Sequence, residues 1–205
     1  MFRIVRLLLF PLLIITLILC SAVPALGKRA TIDVPAWHAF GFAACALPCW
    51  AGITPGETSF DKAFDLLVQH VPSLNTQVLM SGAQIPFSAN LADQYASGFL
   101  YYNQGEVGNI RLSVQLPLIQ LIERLGTPSC YFSGESSYDG LGSLTIYWEL
   151  DGVLIAGLIS QGTEDVQPTT PVDGVAFSPD ESACDLAETH PWLGFAPRWR
   201  YQRHG

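Results

Sequence analysis

The 205-residue chain has 18 acidic side chains against 10 lysines and arginines, and its net charge is −8. Neutralising phosphates requires lysine and arginine, so the composition argues against binding to nucleic acids and, for the body as a whole, to anionic lipid. The length allows one sizeable hydrophobic core or two small ones.

Residues 1–27 have the order of a secretory signal peptide. A basic end, MFRIVR, precedes the apolar run LLLFPLLIITLILC and the small-residue finish SAVPALG. Ala25-Leu26-Gly27 fits the cleavage rule, and cleavage there would leave 178 residues with a net charge of −10. The alternatives are an uncleaved membrane anchor over residues 7–26 and a lipoprotein modified at Cys20. All three predict an extracytoplasmic protein, either secreted or anchored at the membrane.

The segment after the leader contains four cysteines: Cys45, Cys49, Cys130 and Cys184. An even number in an exported chain predicts two disulfides, in one of three pairings. We expect the pairings that join the 45/49 segment to Cys130 and Cys184, because closing a long loop removes more unfolded-state entropy. Free thiols, a redox pair or a metal site are the alternatives. The C-x3-C spacing fits neither the C-x-x-C redox motif nor a common zinc pattern, so we expect no metal or other cofactor.

Two helices are predicted within the body of the chain. Residues 28–57 read as an irregular N-terminal segment, and residues 58–177 as the folded domain. Thr58 to Asp61 resembles a capping box that begins an amphipathic helix, and Val71-Pro72 stops it. Pro117 begins the second helix, which ends at Gly126.

The remaining signals predict antiparallel strands. TQVLM (76–80) and SCYFS (129–133) read as single strands, and VDGVAF (172–177) as an edge strand. GFLYY and VGNIRLSVQL form one hairpin around NQGE, and SLTIYWEL and VLIAGLIS form another around Asp151-Gly152. This order predicts an α+β fold of two helix-then-antiparallel-strand units, with the helices packed on one face of the sheet. Residues 178–205 are expected to form an irregular tail.

The stretch LPCWAGITPGETSFDKAFDLL, residues 47–67, resembles a group of uncharacterised exported bacterial proteins with a PCW-x-GI-x-PG-x-T motif before a helix. A more distant resemblance is to small outer-membrane assembly lipoproteins and to the repeats of β-lactamase inhibitor protein. Gly56-Glu57-Thr58 and Leu125-Gly126-Thr127-Pro128 carry that second resemblance. It implies a helix-on-sheet module that binds proteins and does not catalyse a reaction, and it assigns no functional residue.

The sequence contains no nucleophile elbow G-x-S-x-G, no H-E-x-x-H and no phosphate-binding loop. Its four histidines, at positions 38, 70, 190 and 204, are scattered. We therefore expect a non-enzymatic binding or interaction domain of the cell envelope. The alternative is an extracytoplasmic hydrolase whose site assembles from distant residues, since catalytic triads are defined by geometry and not by order.

Two aromatic pairs on predicted strands form the possible interaction surface. Tyr101 and Tyr102, like Tyr147 and Trp148, are adjacent, so the members of each pair must lie on opposite faces of a sheet. Exposed tyrosine or tryptophan suits contact with a protein or glycan, whereas the alternative is cross-strand packing under a helix. The predicted partner is a protein or another envelope component, with membrane contact through residues 1–27 if they are not cleaved.

Aromatic and basic residues alternate at the C-terminus, where the sequence ends PRWRYQRHG. Trp192, Trp199 and Tyr201 lie among three arginines. A disordered end is the expected state of this tail, and contact with an anionic membrane surface is the alternative.

Overall fold

The computed structural model describes residues 41–70, 74–75, 84–91, 94–135, 142–160, 165–179, 182–186 and 188–202. The elements in chain order are α1 (Phe60–His70), β1 (Leu74–Asn75), β2 (Gln84–Leu91), β3 (Gln94–Asn103), β4 (Glu106–Pro117), α2 (Leu118–Leu125), β5 (Cys130–Glu135), β6 (Gly142–Leu150), β7 (Val153–Ile159), β8 (Asp165–Val166), β9 (Pro171–Pro179), a 3-10 turn (Ala183–Asp185), β10 (Thr189–Pro191), β11 (Ala196–Pro197) and α3 (Arg198–Gln202). The predicted leader and the predicted strand at 76–80 lie outside the described residues.

One antiparallel sheet of nine strands dominates the fold. Its order is β1-β2-β3-β4-β9-β7-β6-β5-β10, and β11 pairs separately with β8. Two meanders, β2-β3-β4 and β7-β6-β5, therefore lie on either side of β9. The segment VDGVAF, predicted to be an edge strand, is central: β9 pairs with β4 on one side and with β7 on the other.

The α+β prediction of two units with helices packed on a sheet is wrong. The described part of the chain is mostly antiparallel sheet, and the helices described in it have 11, 8 and 5 residues. The physical reason is β9, whose backbone hydrogen bonds to both meanders merge them into a single sheet. The helix-on-sheet architecture implied by the distant resemblance does not fit either, since strands dominate the described residues and the helices are short.

The local predictions of helices and hairpins are confirmed where the structure describes them. Both predicted helices and both hairpins are present, and the second hairpin turns at Asp151 and Gly152 with φ of 49° and 77°. The start of α1 differs in detail from a capping box. The Thr58 hydroxyl accepts a hydrogen bond from the Thr54 backbone N–H at 2.9 Å, and the Thr58 carbonyl accepts one from Val107 in β4. The turn before α1 is thus fastened to the sheet.

The inner face of the sheet forms the core. Two rows of buried side chains cross it in register: Ile85, Leu100, Ile110, Phe177, Ile155 and Trp148 in the first, and Phe87, Leu112, Val175, Ile146 and Tyr131 in the second. The N-terminal turn covers one end of these rows, because the Trp50 ring stacks on Phe87 with centroids 5.3 Å apart. The end of α2 covers the other, where the Trp148 indole N–H donates to the Gly126 carbonyl at 2.9 Å.

The four cysteines form two disulfides, but the expected pairing is wrong. Cys45 bonds to Cys49 and Cys130 bonds to Cys184, with Cα–Cα distances of 5.8 and 5.6 Å. The loop-entropy argument describes the unfolded chain, whereas the native pairing follows from which cysteines the fold brings together. The first bridge closes the turn before buried Trp50, and the second joins β5 to the 3-10 turn.

Residues 182–202, expected to be irregular, contain the 3-10 turn, β10, β11 and α3 apart from position 187, which the structure does not describe. Tyr201 in α3 is buried, and its ring meets Tyr131 edge-on with centroids 4.6 Å apart. Its hydroxyl donates to the Gly194 carbonyl. Burial raises the pKa of both tyrosines, and the neighbouring Tyr131 raises that of Tyr201 further. This part of the C-terminal region is therefore packed into the body.

No helix among the described residues has the length and apolar character needed to cross a bilayer.

Candidate functional site

The face of the sheet opposite the core, termed the outer face, is the main candidate site. Successive strand residues point to opposite faces, so the residues that alternate with the core rows lie on the outer face. One row in register runs from Phe99 through Arg111, Ala176 and Ala156 to Tyr147. A neighbouring row contains Ser97, Ser113, Gly174, Leu158, Thr145 and Phe132.

An aromatic and cationic cluster lies at the β3–β4 side of the outer face. Phe99 is 38% exposed, and its ring centroid is 6.1 Å from that of Tyr101. The Arg111 guanidinium carbon sits 5.4 Å from the centroid of the Tyr101 ring. A cation held over an aromatic ring gains roughly 0.5–1 kcal/mol at an exposed site. The contact therefore orders Arg111 beside an exposed apolar ring, a combination typical of protein-binding residues.

Leu158 and Tyr147 form the second side of the outer face, on β7 and β6. Leu158 is 41% exposed, although an aliphatic side chain of this size is commonly buried. Burial raises the pKa of the Tyr147 hydroxyl, and a hydrogen bond with the Thr145 side chain offsets part of that rise. Tyr147 is thus neutral at physiological pH and can donate or accept a hydrogen bond.

Small residues occupy the centre of the outer face. Ala176 and Gly174 on β9 and Ala156 on β7 separate the two sides. From β4 to β6 is three strand spacings, or about 14 Å. Small side chains of the middle strands therefore lie between the larger side chains of the two sides.

The structure separates the four predicted surface residues. Tyr101 and Tyr147 both lie on the outer face, but four strand spacings, about 19 Å, divide β3 from β6. Tyr102 points to the other face at the end of β3, where it meets Phe60 edge-on at 5.4 Å. Trp148 is 2% exposed and belongs to the core.

Sequence reasoning missed Phe99, Arg111 and Leu158. The period-2 pattern of GFLYY already places Phe99 and Tyr101 on one face, so the aromatic neighbour was available as a signal. For Arg111 and Leu158 the signal was weaker, because their meeting on one surface depends on β9 lying between β4 and β7.

A second candidate is a cleft of about 280 Å³ at the β6–β7 turn, lined by residues 149–154 and Ser182. The Ser182 hydroxyl donates to a Glu149 carboxylate oxygen at 3.1 Å, and the Cys184 backbone N–H donates to the same oxygen at 3.4 Å. These bonds use Glu149 to hold the 3-10 turn against the sheet, which is a structural role.

The described histidines have structural surroundings. His70 is the last residue of α1, and the His190 ring lies 5.6 Å from that of Tyr131. Within the described part of the chain, no group of three or more His, Cys, Asp or Glu side chains is arranged to hold a metal ion. His38 and His204 lie outside the described residues.

No family model matches the chain, and no significantly similar curated protein or solved structure was found. The resemblance of residues 47–67 to uncharacterised exported proteins therefore rests on the motif alone. In the structure that motif builds the disulfide-closed turn and the buried Trp50 that seal one end of the core.

Proposed function

We propose that this protein is an exported, non-enzymatic binding domain of the cell envelope that contacts a protein partner through the outer face of its sheet. The disulfide bracing supports the extracytoplasmic location, because disulfides persist in oxidising compartments. The leader-like residues 1–27 point the same way.

The observation that carries the proposal is the composition of the outer face. Phe99 on β3 and Leu158 on β7 are exposed, although the opposite faces of these strands contribute side chains to the core. Arg111 lies on β4, between these two strands in the sheet. Aromatic residues and arginine are enriched at the centres of protein interfaces. The small central residues give a partner access to the backbone level of the sheet. A partner segment laid over these small residues would reach both sides at once.

Site-specific photo-crosslinking in the native cell tests the proposal. A photoreactive amino acid replaces Phe99 or Leu158 in one set of full-length proteins and Val68 in the control. Val68 is 51% exposed on α1 and lies off the outer face, so it matches the test positions in accessibility. We expect one adduct of the same mass from positions 99 and 158 and none from position 68. Arg111→Glu should weaken that adduct, while the free energy of unfolding should fall by no more than the roughly 0.5–1 kcal/mol of the lost cation–π contact.

Adducts of equal intensity from all three positions, or none from 99 and 158, would refute the proposal. Labelling of the folded protein by an active-site probe for serine hydrolases would favour the catalytic alternative instead.

A further inference from the structure

The C-terminal segment, residues 189–202, combines an anchored inner side with an exposed apolar outer side. Tyr201 holds it in place: its hydroxyl bonds to Gly194, and the Trp192 ring lies 5.5 Å from its own. Ala196 is also buried and pairs with Val166. The side chains of residues 192 and 196 therefore face the body, whereas those of residues 193 and 195 are exposed.

Three large apolar side chains lie on the outward side. Leu193 is 40% exposed, Phe195 is 47% exposed and Trp199 is 50% exposed. Trp199 precedes Tyr201 by two residues in α3, which places the two side chains about 200° apart around the helix axis. The buried tyrosine thus fixes the indole on the opposite, solvent-facing side. Indole rings in such positions are favoured at membrane–water interfaces.

Charge distinguishes this segment from the rest of the protein. From residue 189 to residue 205 the sequence contains three arginines and no aspartate or glutamate, although the whole chain carries 18 acidic residues. Arg200 is exposed beside Trp199. The exposed Asp165, which pairs with Pro197 across β8 and β11, offsets part of this charge. The Debye length is about 8 Å at physiological ionic strength, so acidic groups farther away offset it less. Basic residues interleaved with aromatic ones complement an anionic lipid surface.

We propose that the C-terminal segment docks the domain on a membrane containing anionic lipid, with Trp199 and Phe195 in the headgroup region and Arg200 at the lipid phosphates. The site is independent of the partner proposed for the outer face. Together the two surfaces would hold a bound protein close to the bilayer.

The test uses the full-length protein and vesicles of phosphatidylcholine with or without about 30% phosphatidylglycerol, since anionic lipid attracts basic segments. Wild type and variants share residues 1–27, so differences in binding report on the C-terminal segment. Phe195→Ser with Trp199→Ser should lower the partition coefficient on anionic vesicles roughly tenfold or more, as expected for losing two buried aromatic side chains. Arg200→Gln should lower it about fivefold on anionic vesicles only. Val68→Ser, matched in exposure, should leave it unchanged.

A second measurement remains informative even if residues 1–27 alone bind every variant to the vesicles. Brominated lipid quenches indoles within the bilayer. Of the four tryptophans other than Trp199, Trp50 and Trp148 are buried in the core and Trp192 is half-buried. Quenching should occur in the wild type and fall in Trp199→Phe. The proposal is overturned if quenching is the same in both proteins, or if the aromatic variants bind vesicles like Val68→Ser. It is also overturned if Trp199→Ser changes the sedimenting mass of the protein but not its lipid binding, which would identify a second copy as the occupant.

Discussion

Removing the two disulfides separately should have unequal effects on stability. Cys130 and Cys184 are separated by 54 positions, and Cys45 and Cys49 by 4. In the chain-entropy description of disulfides, the free energy of unfolding falls by about 4 kcal/mol without the long loop and by about 2 kcal/mol without the short one. The double variants Cys130→Ala with Cys184→Ala, and Cys45→Ala with Cys49→Ala, isolate these two contributions.

The structure adds one correction to each estimate. The Cys45 sulfur accepts a hydrogen bond from the Gly52 N–H at 3.2 Å, so the short-loop variant also loses a weak bond. The long-loop variant loses the tether that holds the 3-10 turn to β5, while Glu149 still bonds to Ser182. Both corrections are smaller than the difference between the two loops.

Equilibrium urea unfolding of the oxidised protein and of both variants measures the effect. Peptide mapping without reduction should first identify the Cys130–Cys184 bridge. Midpoint and slope are both fitted, because a chain without the bridge unfolds to a more extended state. Equal losses in the two variants, or a larger loss from the short loop, would refute the loop-length reasoning.

Three further changes test the packing of the core. Tyr201→Phe should lower the free energy of unfolding by about 1 kcal/mol, because it loses the hydrogen bond to Gly194. Tyr131→Phe should not lower it, since the buried Tyr131 hydroxyl has no partner among the described residues. Urea unfolding curves compare the two variants, and equal losses would contradict this difference in hydrogen bonding. Because burial raises the pKa of both tyrosines, the unfolded chain ionises first and stability should fall as pH rises above about 10. Urea midpoints between pH 9 and 11 measure that slope, which should be shallower in the double phenylalanine variant. Gly98→Ala should destabilise the sheet by more than about 1 kcal/mol, because the new Cβ would lie 2.4 Å from the Arg111 carbonyl oxygen and from the Phe87 ring. Overpacking a core costs about 1–3 kcal/mol. A urea midpoint equal to that of the wild type would disprove this close approach.

The sequence correctly predicted those helices and turns whose conformation depends on neighbouring residues. The helix that ends at Gly126 and the hairpin around Asp151-Gly152 follow from caps and positive-φ turn positions that only nearby residues determine. Whether a strand is central or an edge depends on partners far along the chain. Nothing within VDGVAF distinguishes the two, and this is why the sequence reasoning misplaced β9 and with it the fold class.

The candidate site was likewise predictable only in its local features. The adjacency of Tyr147 and Trp148 correctly requires that they lie on opposite faces, but no sequence signal says which of the two faces is buried. The cysteine count predicted two disulfides, while the pairing depended on the 3-10 turn packing against β5.

The central place of β9 has a consequence for the order in which the protein can be completed. Of the long strands it is the last to be synthesised, yet both meanders depend on it for a neighbour. A chain interrupted before residue 171 leaves the edges of β4 and β7 bare, and bare strand edges are templates for pairing with other chains. Contacts between distant parts of a sequence also slow folding. Nascent or truncated chains are therefore the forms of this protein most prone to aggregate. Once the nine residues of β9 have been synthesised and have paired with β4 and β7, these two edges are covered.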